Sequence, residues 1–200
     1  MISAGHVSAI VLAAGEATRF GSPKALAPLG SRPLLQRVLD VASRLGFVEV
    51  LVVLGRDVDA IERELAWRDE KRLVNPNPEA GLSSSLKIGL GAVDPASQAA
   101  VVLLGDQPMV REAVIAALLA GFDAAGRPIV APRYADGGGP NPLLIARSAW
   151  VLAQDVKGDR GLGPVLRAHP DLVREIEMPG SNPDVDTPED LARLESSIGQ

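Results

Sequence analysis

The residues best suited to chemistry begin near the start of the chain, where an apolar run gives way to a cationic loop. The run 9–14 (A-I-V-L-A-A) ends at Gly15, and the loop that follows carries Arg19, Gly21 and Lys24. Glycines let backbone N–H groups approach an anion closely, and the two cations would neutralise it. This order is typical of a phosphate-binding turn, although a mobile surface loop can have the same composition.

The loop differs from the two most familiar phosphate-binding motifs. Gly21 is followed by Ser22-Pro23-Lys24, so the Gly-Lys-Ser/Thr of a Walker A loop is missing. Gly15 stands alone at its turn, so Gly-x-Gly-x-x-Gly is missing too, which disfavours a dinucleotide-binding module. The segment predicts anion binding without naming a reaction.

Two aspartates could add a metal to this site. Asp106 follows the buried run Ala99–Leu104, and Asp186 precedes a C-terminal helix. Ligands of open α/β sheets bind beyond the carboxyl ends of strands, so Asp106 and Gly15 should share one edge if their strands are parallel. Carboxylate oxygens are the ligands that Mg²⁺ prefers. On spacing alone, Asp106 fits equally well as a cap for a helix at 110–119.

Serines and glycines mark three further segments. The run G-L-S-S-S-L-K at 81–87 predicts a helix start, with the positive end of the helix dipole facing the loop and serines that can cap it. Capping alone is the plain alternative for these serines. The glycine-rich stretches 133–142 and 157–163 are compatible with a substrate lid, but their composition favours two surface turns.

Composition excludes several classes of protein. A chain of 200 residues can bury about 70% of its unfolded surface as one domain. The absence of cysteine excludes disulfides, zinc–thiolate sites, iron–sulfur clusters and thiol catalysis. A net charge of −5 disfavours nonspecific nucleic-acid binding, and no apolar run approaches the ~20 residues of a membrane span. We therefore expect a cytoplasmic protein with neither nucleic acid nor a membrane as partner.

Strand-like and helix-like patterns alternate along the chain. Strands are predicted at 9–14, 47–54, 73–74, 99–104, 128–131, 142–145 and, at a sheet edge, 172–178. Helices are predicted at 34–45, 58–65, 82–93, 110–119, 148–156, 163–169 and from 188, where Thr187 is the expected N-cap. This alternation predicts a single three-layer α/β/α domain with a mostly parallel sheet.

Four motifs resemble those of the MobA-like nucleotidyltransferases. They are L-A-A-G-x-x-x-R-F-G-x-x-K at 12–24, N-P-N-P-E-A-G-L-S-S-S-L-K at 75–87, L-G-D-Q-P at 104–108 and D-V-D-T-P-E-D at 184–190. The resemblance runs from about residue 9 to about residue 194. Within the family, the chain is most similar to the cytidylyltransferases of molybdenum cofactor synthesis. Ala13-Ala14-Gly15 favours the cytidylyl branch, because guanylyl relatives more often carry Ala-Gly-Gly.

The resemblance implies a fold, a reaction and partners. The fold would be a Rossmann-like, GT-A-like nucleotidyltransferase domain over 1–200, with a nucleotide-binding half at about 1–110 and an acceptor-binding half at about 111–200. The reaction would join CMP from CTP to the phosphate of a molybdopterin-type cofactor and release pyrophosphate. The cofactor would be Mg²⁺ or Mn²⁺. The partners would be CTP, a phosphorylated pterin and a molybdoenzyme.

The resemblance also implies roles for individual residues. The nucleotide would be held by Leu12, Ala13, Ala14, Gly15, Arg19, Lys24, Gly81, Ser85 and Asp106. Arg19 and Lys24 would bind its phosphates and, with Asp106, form the catalytic set. Asp106 and Asp186 would ligate the metal.

The acceptor side departs from the family pattern. Related cytidylyltransferases often carry Gly-His-Pro where this chain has Pro140-Asn141-Pro142. Asn141 can form hydrogen bonds but cannot change its charge near neutral pH as histidine can. Asn141 and Arg160 are the candidate acceptor-binding residues. The alternatives left open are a guanylyl or sugar-phosphate nucleotidyltransferase of the same fold, and a non-catalytic nucleotide-binding accessory protein for molybdoenzyme maturation.

Overall fold

The strands of the structure carry the apolar runs of the sequence. The computed structural model describes residues 1–15 and 20–198. Its strands are β1 (Val7–Ala13), β2 (Pro28–Leu29), β3 (Arg32–Pro33), β4 (Val50–Leu54), β5 (Lys71–Val74), β6 (Ala99–Leu104), β7 (Ile129–Tyr134), β8 (Leu143–Ala146) and β9 (Val173–Met178). β2 and β3 pair with each other as a short antiparallel ribbon, and the other strands of the described residues form one sheet of seven.

The helices flank this sheet. They are α1 (Leu34–Ser43), α2 (Val58–Glu64), α3 (Leu82–Ala92), α4 (Glu112–Ala120), α5 (Gly163–Ala168) and α6 (Pro188–Ile198). Short 3-10 segments lie at Ala4–His6, Lys24–Leu26, Pro78–Ala80, Arg147–Asp155, Gly158–Arg160 and Pro170–Leu172. Across residues 1–15 and 20–198, no helix combines the length and apolar character needed to cross a membrane.

The sheet order β5-β4-β1-β6-β8-β7-β9 places β1 in the middle of the parallel part. β1 pairs parallel with β4 and with β6, so that Leu12 lies beside both Val53 and Leu104. β8 is antiparallel to β6 and β7, while β7 and β9 are parallel. The predicted mostly parallel sheet and the predicted edge strand are confirmed. The ends of β1 and β6 meet at one edge, where the Gly105 N–H donates to the Leu12 carbonyl at 2.9 Å.

Alternate side chains of β1 enter two separate cores. Val7, Ala9 and Val11 pack in one cluster with residues of α1, α2 and α4. Ile10 and Leu12 pack in the other with residues of α3 and α5. A strand covered on both faces needs apolar residues at successive positions, which explains its uninterrupted run of aliphatic side chains. The three-layer α/β/α architecture follows from these two cores.

Two local expectations were wrong. The segment 148–156 was expected to be an α-helix, and the structure has a 3-10 segment at Arg147–Asp155. The serines at 83–85 were expected to cap α3, but the N-cap residue is Gly81, whose φ of +87° favours glycine. The Ser84 hydroxyl instead donates to the Gly81 carbonyl at 2.8 Å. By contrast, the capping of α6 is confirmed, since the backbone N–H of Asp190 donates to Thr187 Oγ1.

Close packing of α3 on β1 gives a test of this arrangement. A Cβ added at Gly89 of α3 would lie 2.6 Å from Cγ2 of Ile10, which is fully buried. We expect Gly89→Ala to lower the free energy of unfolding by roughly 1–3 kcal/mol, because a stiff β-branched side chain cannot easily move aside. Urea denaturation followed by circular dichroism measures the change.

Gly91→Ala is the matched control in the same helix. Gly91 is exposed, and apart from its chain neighbours and the backbone of its own helix, no heavy atom of the described residues lies within 4 Å of an added Cβ. This substitution should be neutral or stabilising by up to about 1 kcal/mol, since alanine has the higher helix propensity. Equal stabilities for the two variants would contradict the packing of α3 on β1.

Candidate functional site

A cleft of about 800 Å³ opens at the carboxyl edge of the sheet. It lies beyond the ends of β1, β4 and β6, which is where open α/β sheets bind ligands. The predicted site residues that line it are Leu12, Ala13, Ala14, Gly15, Lys24, Gly81, Ser85, Asp106, Asn141 and Asp186. Arg19 and the side chain of Arg160 lie outside the part of the chain that the structure describes. Ten of the site residues predicted from the sequence therefore line one cleft.

Lys24 joins the two predicted metal ligands. Its Nζ donates to Asp106 Oδ2 and to Asp186 Oδ1, each at 2.7 Å. Three separate elements hold the groups in place: Lys24 begins a 3-10 turn, Asp106 follows β6 and Asp186 precedes α6. The backbone N–H of Val185 donates to the Asp106 carbonyl at 3.0 Å, which fixes the two aspartate segments side by side. Asp106 is therefore not the N-cap of α4, whose N-cap residue is Arg111. Instead, its carboxylate contacts a cation in the cleft.

The charges of this group are unequally buried. The side chains of Lys24 and Asp106 are 17% and 30% exposed, whereas Asp186 is 60% exposed. Burial by itself lowers the pKa of Lys24, but Asp106 and then Asp186 outweigh it and raise the pKa above the ordinary lysine value. Lys24 is therefore a permanent cation at neutral pH.

The donor set suits a hard divalent cation. Asp106 and Asp186 place carboxylate oxygens on the same ammonium nitrogen, so the two oxygens lie close together. Mg²⁺ and similar ions prefer such oxygens and usually keep some water or phosphate ligands. Within residues 1–15 and 20–198, no group of three or more histidine, cysteine, aspartate or glutamate residues is arranged to hold a metal. A cation held here would take its remaining ligands from a bound substrate or from water.

Asp184 is a further carboxylate of the cleft, close enough to Asp106 and Asp186 for their charges to act on it. The sequence marked it only as an extra acidic residue before the C-terminal helix, and the structure places it in the cleft lining. Burial raises its pKa, and the charges of Asp106 and Asp186 add to this effect. A hydrogen bond of 2.9 Å from Gln107 Nε2 to Asp184 Oδ1 acts in the opposite direction. Asp106, Asp184 and Asp186 are thus neighbouring carboxylates, and Lys24 pairs with Asp106 and with Asp186.

A buried amide network links this acidic group to Asn141. Asn182 Nδ2 donates to Gln107 Oε1 at 3.1 Å and to the Asn141 carbonyl at 3.4 Å. The Tyr134 hydroxyl donates to the same carbonyl at 2.9 Å. Neither Gln107 nor Asn182 was predicted from the sequence to have a role, although Gln107 stands inside the L-G-D-Q-P motif. Both residues are 1% exposed, so they hold Asp184 and Asn141 in fixed positions.

Asn75 organises the start of α3. Its Nδ2 donates to Ser84 Oγ at 2.7 Å and to Ser85 Oγ at 2.9 Å, and its Oδ1 accepts from the Asn77 N–H. The side chain is 2% exposed, so these bonds are shielded from water. Asn75 therefore fixes the Ser85 hydroxyl at the cleft, a role that the N-P-N-P motif alone did not indicate.

The glycine-rich segment 157–163 forms one wall of the cleft. A Cβ added at Gly81 would lie 2.4 Å from the Gly158 carbonyl carbon, so only glycine allows this approach. The Leu82 N–H donates to Asp159 Oδ1 at 3.2 Å. Asp159, Gly161 and Leu162 line the cleft, so this segment is not a turn remote from the site.

Comparison with known families gives a match over most of the chain. The sequence profile of the MobA-like NTP transferase domain matches residues 9–173. This range includes the cationic loop, Asp106 and the serine-rich start of α3.

Two curated relatives differ in length and in name. The bifunctional protein GlmU of Cellvibrio japonicus is 33% identical over 146 residues, which are 72% of this chain and 32% of that protein. The chain thus spans about a third of the length of such GlmU relatives. The nicotine blue oxidoreductase of Paenarthrobacter nicotinovorans is 31% identical over 198 residues, which are 94% of this chain and 96% of the relative.

A solved structure from Mycobacterium tuberculosis is similar over nearly the full length. The crystal structure of Rv0371c in complex with manganese is 32% identical in sequence and has a TM-score of 0.83. The similarity covers 96% of this chain and 99% of that one. A protein with this fold and this degree of identity has therefore been crystallised in complex with manganese.

Tyr134 offers a spectroscopic test of the amide network. Burial raises its pKa to about 12, although the charge of Arg111 and a contact with Asn182 partly oppose this. Tyr134 is the only tyrosine of the chain, so absorbance at 295 nm follows it alone. We expect a midpoint near pH 12 in the folded protein and near pH 10 in guanidinium, the ordinary tyrosine value.

The raised pKa of Tyr134 also predicts how the stability of the protein changes with pH. The contribution of Tyr134 to the free energy of unfolding is complete below pH 10, where the tyrosine of the unfolded chain keeps its proton. This contribution is lost as the pH rises towards 12. A folded protein whose tyrosine titrates near pH 10 would contradict the buried hydrogen bond to Asn141.

Proposed function

Because the chain belongs to the MobA-like NTP transferase family, we propose that it is a metal-dependent nucleotidyltransferase that moves CMP from CTP onto the phosphate of a molybdopterin-type cofactor. The observation that carries this proposal is the convergence of Lys24, Asp106 and Asp186 at the carboxyl edge of the sheet. Phosphoryl-type transfer requires mainly positioning and charge neutralisation, and this group offers both.

The nucleotide side of the proposal uses the end of β1 and the start of α3. Ala13, Ala14 and Gly15 present small side chains, so that base and ribose can reach the backbone. A Cβ at Gly55 would lie 2.6 Å from the Ala14 carbonyl oxygen, and this tight contact fixes the end of β1. Gly81 and Ser85 would contact the base. In this proposal, residues from 1 to about 110 hold the nucleotide and those from about 111 to 200 hold the acceptor.

The phosphate side uses cations and carboxylates together. Lys24 and Arg19 would bind the triphosphate, while Asp106 and Asp186 would hold Mg²⁺ or Mn²⁺. When bound, the metal would neutralise charge on the triphosphate and help to orient it. An oxygen of the acceptor phosphate forms a bond to the α-phosphorus, and the bond from that phosphorus to the bridging oxygen breaks. The electron pair leaves with pyrophosphate, so the reaction needs no nucleophile from the protein.

The acceptor side rests on Asn141 and Arg160. The carbonyl of Asn141 is held by Tyr134 and Asn182, which fixes the residue at the cleft wall. An amide side chain can both donate to and accept from the polar edge of a pterin ring. A molybdoenzyme that receives the product would be the protein partner. The asparagine at 141, where related enzymes often have histidine, favours a sugar phosphate as the second candidate acceptor.

Product analysis tests the function directly. The protein would be incubated with CTP, Mg²⁺ and either a molybdopterin-type acceptor or a panel of sugar phosphates. We expect pyrophosphate and a CMP–pterin product in equal amounts, measured by a coupled assay and mass spectrometry. CMP transfer to a sugar phosphate but not to the pterin would support the second candidate and overturn the first.

Asp106→Asn tests the role of the carboxylate. We expect the turnover rate to fall by at least about 100-fold, because the amide keeps the shape but loses the charge that binds the metal. The rate of pyrophosphate release with CTP and the acceptor measures the effect. Folding is checked by circular dichroism.

Asp136→Asn is the matched control. Asp136 is exposed and is not among the described residues that line the cleft, so its variant should keep the turnover of the unmodified protein. Retention of turnover in Asp106→Asn would remove Asp106 from the metal site.

A further inference from the structure

Lys24 occupies the point that a shared metal ion would need. Its Nζ lies 2.7 Å from Asp106 Oδ2 and 2.7 Å from Asp186 Oδ1, so twice that distance is the most that can separate the two oxygens. Mg²⁺ holds its oxygen ligands at about 2.0–2.1 Å. Two carboxylates that both reach one ammonium can therefore share one divalent cation after a small movement.

An ammonium group and a divalent cation cannot fill this point together. Both are positive, and both draw on the same carboxylate oxygens of Asp106 and Asp186. The ammonium donates to each carboxylate at 2.7 Å, and its side chain is only 17% exposed, so these bonds are partly shielded from water. A metal entering the nucleotide-free protein would have to displace the ammonium and break both bonds.

The structure also shows which parts can move. The backbone of Lys24 is fixed, because the Ala27 N–H donates to its carbonyl at 3.0 Å. The flexible four-carbon stem of lysine allows the ammonium to swing while the backbone stays in place. Asp186 is 60% exposed and has room to adjust to a smaller ion.

We propose that Lys24 is an internal counter-ion. In the absence of nucleotide its ammonium occupies the metal position between Asp106 and Asp186, and it leaves that position when it moves to the phosphates of a bound nucleotide. The proposal rests on the proposed function, since it assumes that nucleotide and metal bind in this cleft. Metal and nucleotide binding are then coupled: each weakens the hold of Lys24 on the carboxylates, and each strengthens the binding of the other. The cleft would take up metal and triphosphate together.

Metal titration of the nucleotide-free protein tests the proposal. Free Mn²⁺ is measured by its electron paramagnetic resonance signal in the full-length protein and in Lys24→Met. We expect Lys24→Met to bind Mn²⁺ about tenfold or more tightly, because the metal no longer displaces two charged hydrogen bonds. If the unmodified protein binds too weakly to measure, a measurable site in Lys24→Met is the same result.

Three variants control the titration. Lys87→Met removes one positive charge at a residue that is not among the described ones lining the cleft, so it should bind Mn²⁺ as the unmodified protein does. Lys24→Arg keeps the charge and should also show no gain. Lys24→Met combined with Asp106→Asn should lose the gain, because a carboxylate ligand is missing. Lys24→Gln replaces Lys24→Met if that variant fails to fold.

The outcomes separate this proposal from the proposed function. Mn²⁺ affinity of Lys24→Met that is unchanged or weaker overturns the counter-ion role. If the unmodified protein nevertheless binds a non-hydrolysable CTP analogue with Mn²⁺, the proposed function survives that result. Failure to bind any nucleoside triphosphate with Mn²⁺ would overturn the proposed function itself.

Discussion

The ion pairs of Lys24 with Asp106 and Asp186 connect the beginning, the middle and the end of the chain at one point. They set the central constraint on this structure, because the carboxylates of Asp106, Asp184 and Asp186 lie near one another in the cleft and repel one another. One lysine offsets only part of that charge. The raised pKa of Asp184, caused by burial and then by Asp106 and Asp186, reflects the remaining negative field. A site of this kind favours a divalent cation and an anionic ligand that arrive together.

Parallel strands that end at the same edge of the sheet bring these charged groups together. β1 and β6 stop at the same level, so the loop that carries Lys24 and the turn that carries Asp106 face each other. Tight glycine contacts then bring the surrounding segments close, at Gly89 against Ile10 and at Gly81 against Gly158. The buried amides of Gln107 and Asn182 extend the rigid region to Asn141. The residues proposed to bind metal, nucleotide and acceptor are thus built on a single framework.

Sequence reasoning succeeded where a local pattern leaves one solution. The limits of β6 match the run Ala99–Leu104, because a short aliphatic run that ends at a turn is typical of a strand covered on both faces. It failed where partners are distant in sequence. The serines of α3 resemble caps, but their hydroxyls are engaged by Gly81 and by Asn75, which no local rule identifies. Likewise, the position of Asp184 depends on Gln107, which lies 77 residues away.

Thermal stability of the intact protein in the presence of nucleotides tests directly whether this cleft binds CTP and metal together. CTP, GTP, ATP and UTP would each be added with and without Mg²⁺, and the shift in melting temperature recorded. A nucleotide present at 100 times its dissociation constant adds about 2.7 kcal/mol to the free energy of unfolding. We expect a Mg²⁺-dependent shift with CTP alone. A shift with GTP alone would contradict cytidylyl specificity, and no shift with any nucleotide would contradict the assignment of this cleft as a nucleotide site.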